Sequence, residues 1–185
     1  MHRNKSFVSL REARHPGPAI EPRVLTAAAA ADRELRLFLP PGCDLLDGLA
    51  AKMQELGILT AGVRLAGGDF DAFSFYTGVP DPSGARAATF SPSHEPTLPV
   101  TLVIANAIIG LDEDDQLKSH CHAVFLDGNG TSRGGHLIPG ACRIGGTGLA
   151  AWATATGDAQ LKVRHDPETN FPIFHPHVGG HSDGD

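Results

Sequence analysis

The stretch of residues 119–138, SHCHAVFLDGNGTSRGGHLI, constrains the fold of this chain more than any other. In an extended strand successive side chains point to opposite faces, so His120 and His122 lie on one face and Cys121 lies on the other. The sequence DGNG at residues 127–130 is a strong turn signal, after which residues 133–138 can run back beside the first strand. The stretch therefore predicts an antiparallel β-hairpin.

The register of this hairpin decides whether a third histidine joins the first two. Facing residues in an antiparallel pair have position numbers with a constant sum. A sum of 256 or 258 places His136 opposite His120 or His122 and on their face. With a sum of 257, His136 points away, and a bulge would be needed to bring it back. The hairpin thus permits a three-histidine cluster without requiring it.

Three neutral imidazoles that converge on one point fit a first-row divalent ion, most often zinc, which leaves an open fourth position. A trio of histidines held only by hydrogen bonds is the alternative that the residues leave open. Gly134 and Gly135 are expected to let their strand pass close to the cluster. Cys121, on the other face, is expected to be a small buried hydrophobe.

The composition is that of one folded domain. The chain has 185 residues, 41% of them hydrophobic, and a mean hydropathy of −0.10, with no apolar run long enough to cross a membrane. Its cysteines are odd in number and widely spaced, so reduced thiols are expected. The basic start is not followed by an apolar stretch of signal-peptide type, and we expect a cytoplasmic protein.

The hydrophobic patterns predict an α+β fold. Asp44 and Gly57 are the expected caps of one main amphipathic helix over residues 44–56. The range 100–109 is almost continuously apolar, which predicts a central strand covered on both faces. Residues 1–31 are assigned to an N-terminal arm, 32–175 to the domain and 176–185 to a flexible tail that contains His177 and His181. Predicted strands cover residues 33–39, 60–66, 70–77, 100–109, 119–126, 133–138, 147–155 and 160–165.

Charge is unevenly distributed along the chain. The net charge is −6, but residues 1–36 carry +3 and residues 37–185 carry −9. An acidic body repels nucleic-acid phosphates, which argues against a general nucleic-acid binder. Any DNA association is expected to involve the basic arm residues Arg3, Lys5, Arg11 and Arg14.

The histidine spacing resembles that of the plants and prokaryotes conserved (PPC, or PCC) domain family. The motif consists of His120-x-His122 followed by GGHL at residues 134–137. Weaker similarity extends over residues 33–175, through LFLPPG at 37–42, the helix end at Gly57 and DPETNF at 166–171. The resemblance implies a sheet of about seven mostly antiparallel strands, a homotrimer, and zinc held by His120, His122 and His136. The family is also described as DNA-binding, but the Arg-Gly-Arg-Pro segment of its plant members is absent from this chain.

Two functions of different class follow from these features. The first is a zinc-binding PCC-type protein of unassigned activity, with a regulatory or DNA-associated role. The alternative is a zinc-dependent hydrolase or lyase, which needs a general base beside a water molecule on the metal. Asp166, Glu168 and Glu95 are the candidates for this base. Asp166, Glu168 and Arg164 either orient a metal-binding histidine or belong to a surface loop.

Overall fold

Strands are the main secondary structure of the computed structural model, which describes residues 14–178. The chain forms a mostly antiparallel sheet with one helix in this range, as the α+β prediction requires. No helix of the described range has the length and apolar character needed to cross a membrane. The elements are β1 (Arg33–Leu39), α1 (Leu45–Glu55), β2 (Ala61–Leu65), β3 (Asp69–Ala72), β4 (Phe75–Tyr76), β5 (Gly78–Val79), β6 (Thr89–Phe90), β7 (Val100–Leu111), β8 (Leu117–Leu126), β9 (Ser132–Leu137), β10 (Arg143–Ile144), β11 (Leu149–Ala155), β12 (Ala159–Asp166) and β13 (Phe171–Val178).

The main sheet is larger than expected. Within residues 14–178 it has eleven strands, and its main path runs β1-β11-β2-β7-β8-β9-β4. β3, β10 and the β12–β13 hairpin attach beside this path, while β5 and β6 pair with each other. The pairings are antiparallel apart from a parallel bridge between Lys162 of β12 and Leu111 of β7. The expectation of about seven strands is too low because these lateral strands extend the sheet.

Helix α1 forms where the sequence predicts it. The Asp44 carboxylate caps its N-terminus by accepting hydrogen bonds from the backbone N–H groups of Leu46 and Asp47, at 2.9 and 3.1 Å. Gly57, with a φ of +67°, adopts the left-handed conformation that ends the helix. The buried face of the helix packs into the main core through Leu45, Leu46, Leu49 and Met53.

The core lies on one face of β8, and the histidines lie on the other. Cys121, Ala123 and Phe125 point into the core, where the Phe125 ring lies 4.5 Å from that of Phe73 and 5.0 Å from that of Phe75. We call the opposite side of β7, β8 and β9 the open face. His120 and His122 lie on this open face, as strand alternation predicts.

β7 is not covered on both faces in the single chain. Val103 and Ile104 are 48% and 46% exposed, although the apolar pattern predicts a strand buried on both sides. The helix covers only the core face, and the register of β7 against β8 shifts between Leu102 and Ile104. The continuous apolar run therefore serves two different surfaces, the core and the open face.

β13 is the main strand that sequence analysis misses. Pro172 and Pro176 look like strand breakers because proline has no backbone N–H to donate. β13 pairs only with β12 among the described elements, so such an edge position tolerates both prolines. The strand extends to Val178, and residues 176–178 of the expected tail are consequently paired with β12.

Candidate metal centre

The hairpin of β8 and β9 brings the three predicted histidines together. His122 lies directly opposite His136, which corresponds to one of the two even registers that the sequence allows. His120 lies two residues earlier on the same face of β8 and faces Ile108 of β7. One edge of the open face thus carries three imidazoles.

The three imidazoles are close enough to share one ion. One potential ligand nitrogen from each lies within 4.8 Å of the other two. The ring centroids of His120 are 4.7 Å from His122 and 4.5 Å from His136, and those of His122 and His136 are 5.4 Å apart. The rings are steeply inclined to one another, with interplanar angles between 65° and 69°, so they converge rather than stack.

A buried ring nitrogen provides a test of whether a metal fits here. Nδ1 of His136 is buried and forms no hydrogen bond within the described part of the chain. Leaving such an atom unpaired costs about 1–3 kcal/mol, whereas a metal ion or another polar partner would satisfy it. The residues present therefore fit a nitrogen-bound divalent ion, and neutral imidazole is a ligand that zinc accepts.

Burial and nearby positive groups lower the pKa values of two of these histidines, His120 and His136. The pKa of His120 is lowered to about 4, first by burial and then by the proximity of His136, His122 and Lys118. The pKa of His136 is also lowered, mainly by burial and then by His122 and Lys118. At neutral pH both side chains are in the unprotonated form that binds metals.

Cys121 behaves as the alternation predicts. Its side chain is 0% exposed and lies in the core, away from the histidines. Burial, followed by the neighbouring Cys142, raises the pKa of the Cys121 thiol to about 12. This cysteine is a protonated core residue rather than a metal ligand.

The carboxylates expected to orient the histidines have other partners. Glu168 accepts hydrogen bonds from His15 Nδ1 at 2.6 Å, from the backbone N–H of Ile20 at 2.9 Å, and from Arg23. Asp166 accepts hydrogen bonds from the backbone N–H and the hydroxyl of Thr169. Arg164 lines a separate cavity with His175 and His177. The described hydrogen bonds of both carboxylates thus hold the arm and the β12–β13 turn.

The remaining sequence candidates, in the arm and the tail, lie at the edge of the described range or outside it. Arg14 is exposed at the start of the described range. Arg3, Lys5, Arg11 and His181 lie outside the described residues.

Sequence analysis does not predict the aromatic side chains that surround the histidines. A cavity of about 680 Å³ is lined by all three histidines together with Phe90 and Phe171. The Phe90 ring lies 5.0 Å from His136 and 5.3 Å from Tyr76. An isolated phenylalanine in a loop carries no motif, and only the long-range pairing of β5 with β6 places it here.

Comparison with known proteins identifies the family of this fold. Residues 27–150 match the model of the Plants and Prokaryotes Conserved (PCC) domain. The chain therefore belongs to the PCC domain family, as the histidine motif indicated. None of the curated proteins matches the sequence.

Solved structures share this fold at low sequence identity. A metal-containing protein from Archaeoglobus fulgidus is 14% identical, with a TM-score of 0.66 over 82% of this chain and 98% of that chain. A plant- and prokaryote-conserved protein from Pyrococcus horikoshii is 14% identical, with a TM-score of 0.65 over 82% and 97%. A protein from Ralstonia eutropha described as a "Putative DNA-binding protein" is 21% identical, with a TM-score of 0.57 over 75% and 88%.

Proposed function

We propose that this PCC-domain protein binds one divalent metal ion of the zinc class through His120, His122 and His136. The observation that carries the proposal is the convergence of three ring nitrogens within 4.8 Å on the open face. The buried, unpaired Nδ1 of His136 supports it, as does the description of the similar Archaeoglobus fulgidus protein as metal-containing. A bound ion would supply positive charge and an open coordination position to the cavity.

A binding role is better supported than hydrolysis or elimination. Either reaction needs a general base within hydrogen-bond reach of the reacting water or substrate. Among the described residues that line the cavity around the histidines there is no aspartate or glutamate. Of the candidate bases from the sequence, Asp166 and Glu168 form hydrogen bonds with Thr169 and with the arm, and Glu95 does not line the cavity. We therefore favour a metal-binding protein without a hydrolytic role.

Metal analysis of the purified full-length protein tests this function. We expect about one zinc-class ion per chain at neutral pH in a tag-free preparation. Acid should release the ion, because protonated imidazole cannot bind a metal and the ordinary pKa of histidine is about 6.5. The lowered pKa of His120 shifts its protonation to more acidic solution, toward pH 4. A protein that stays metal-free after incubation with excess zinc would contradict the proposal.

We also propose that the chain assembles as a homotrimer, which the family resemblance implies. The open face supports association because neighbouring strands expose Val103, Ile104, Val124 and Leu126 to solvent in the single chain. Light scattering should give three times the chain mass of 19.4 kDa. Ile104→Glu places a charge on this apolar surface and should give the mass of one chain.

Leu59 provides a matched control for the trimer. It is 47% exposed, close to the 46% of Ile104, but it lies between α1 and β2 rather than on the open face. Leu59→Glu should leave the mass unchanged. A wild-type mass near that of one chain at micromolar concentration would remove support for the trimer.

For DNA we predict at most weak, sequence-independent binding. The neighbour from Ralstonia eutropha carries a DNA-binding description, but residues 37–185 of this chain carry −9. Binding would therefore depend on Arg3, Lys5, Arg11 and Arg14, because Arg23 is paired with Glu168. Four phosphate contacts correspond to a slope of log K against log salt of about −4 at most.

A mobility-shift titration over a salt series measures this. Alanine at the four arm positions should abolish the shift while preserving the docked segment that starts at His15. Tight binding by that variant at about 150 mM salt, where electrostatic contacts are already screened, would show that the charge argument is wrong.

A further inference from the structure

The cavity beside the three histidines has the size of a small-molecule site. Its volume of about 680 Å³ lies within the range of about 300–1,000 Å³ that is usual for ligand pockets. All three histidines line it, so a molecule inside it can reach an ion that they bind. The cavity and the metal centre therefore form one site.

The charge balance of this site favours an anion. Three neutral imidazoles leave the charge of a divalent ion uncompensated. The described lining contains neither aspartate nor glutamate. Lys118 adds a further positive charge nearby, because it lines an adjoining cavity together with His120 and His136. An anionic group bound at the open coordination position would balance this charge.

The walls of the cavity favour an apolar body. The Phe90 ring packs 5.3 Å from Tyr76 and 6.0 Å from Phe171, so aromatic side chains form one side of the cavity. Phe90 is 41% exposed in the described chain and has ring surface available for a ligand. Aromatic rings gain by packing edge to face or offset against one another, beyond the area that they bury.

We infer that this site binds an organic monocarboxylate with an aromatic body. The carboxylate binds the metal ion at its open position, and the ring packs against Phe90 and Phe171. This inference rests on the proposed metal-binding function, since the described lining of the cavity contains no lysine or arginine that could bind the carboxylate in place of the ion. The site selects such a ligand because it combines one charged metal ion with an apolar aromatic wall.

Cobalt-loaded full-length protein provides the test, because ligands at the metal change its visible absorption. The probes are benzoate, acetate, which lacks the ring, and benzyl alcohol, which lacks the charge. Benzoate should bind at least about tenfold more tightly than acetate, since its ring is removed from water. Benzyl alcohol should leave the spectrum unchanged at the concentration that saturates with benzoate.

Alanine substitutions of two phenylalanines test whether the ligand packs against the aromatic wall. Phe90→Ala should raise the Kd for benzoate about tenfold, with the Kd for acetate and the cobalt content unchanged. Phe171→Ala should act in the same direction and provides a second measurement if the first variant is poorly folded. Phe38→Ala is the matched control, because Phe38 is 58% exposed on β1 and does not line the cavity.

The outcomes separate this inference from the proposed function. If the protein does not take up cobalt, both fail. If cobalt binds but benzoate binds no more tightly than acetate, the carboxylate inference is wrong and the metal proposal stands. Equal binding of benzoate to metal-free protein, followed by NMR, would also overturn the inference.

Discussion

Replacing His136 by alanine should reduce metal occupancy from about one ion per chain to less than about a tenth. The substitution leaves only His120 and His122 at the site, and two imidazoles do not hold a divalent ion in competition with water and buffer. His120→Ala and His122→Ala should have the same effect, because each removes one nitrogen of the same cluster. Elemental analysis after gel filtration measures occupancy directly.

The unfolding temperature provides a second measurement of metal binding, because binding and folding are thermodynamically linked. An ion that binds the folded protein and not the unfolded chain raises the unfolding temperature. Added zinc should therefore stabilise the wild-type protein and have no such effect on the three alanine variants. Equal stabilisation of wild type and variants would mean that zinc binds elsewhere.

His165→Ala is the matched histidine control. His165 lies on β12, exposed, and forms a hydrogen bond with Asn170 at 2.8 Å rather than with the cluster. Its removal should leave occupancy near one. A variant that ends at Val178 tests the last histidine, His181, while keeping β13 paired with β12. If occupancy follows that truncation and ignores His136→Ala, the hairpin is not the metal site.

The hairpin can be predicted from sequence because its determinants are local. The DGNG turn at 127–130 and the alternation of His120 and His122 operate within a few residues. The turn residues alone do not select between the two even sums. The structure selects the pairing of His122 with His136.

The surroundings of the site depend on contacts that a local pattern does not contain. Phe90 reaches His136 only because β6 pairs with β5. Glu168 lies far from the histidine motif in the sequence. Its hydrogen bonds are with His15, Ile20 and Arg23 of the arm. The sequence therefore predicts the three histidine ligands but not the cavity walls, because the walls depend on long-range contacts of this kind.

Gly135 allows a close approach, as the sequence predicts, but the approaching residues belong to β4 rather than to the histidine cluster. The sequence predicts that the glycine pair allows a close approach to the histidine cluster. A Cβ on Gly135 would instead lie 2.4 Å from the Phe75 ring and 2.5 Å from the backbone oxygen of Tyr76. Gly135 therefore allows β4 to pack against β9, the pairing that aligns Tyr76 with His136.

Gly135→Ala should consequently lower the stability of the protein by about 1–3 kcal/mol, because the added methyl group meets backbone as well as a packed ring. For a chain of this size, that corresponds to a fall in the unfolding temperature of roughly 2–12 °C. Gly62→Ala is the matched control, since Gly62 lies on β2 of the same sheet and an added Cβ there would have nothing within 4 Å. Its unfolding temperature should stay close to that of the wild type. Calorimetry of both variants without added metal decides the matter: equal unfolding temperatures would contradict the close packing of β4 on β9.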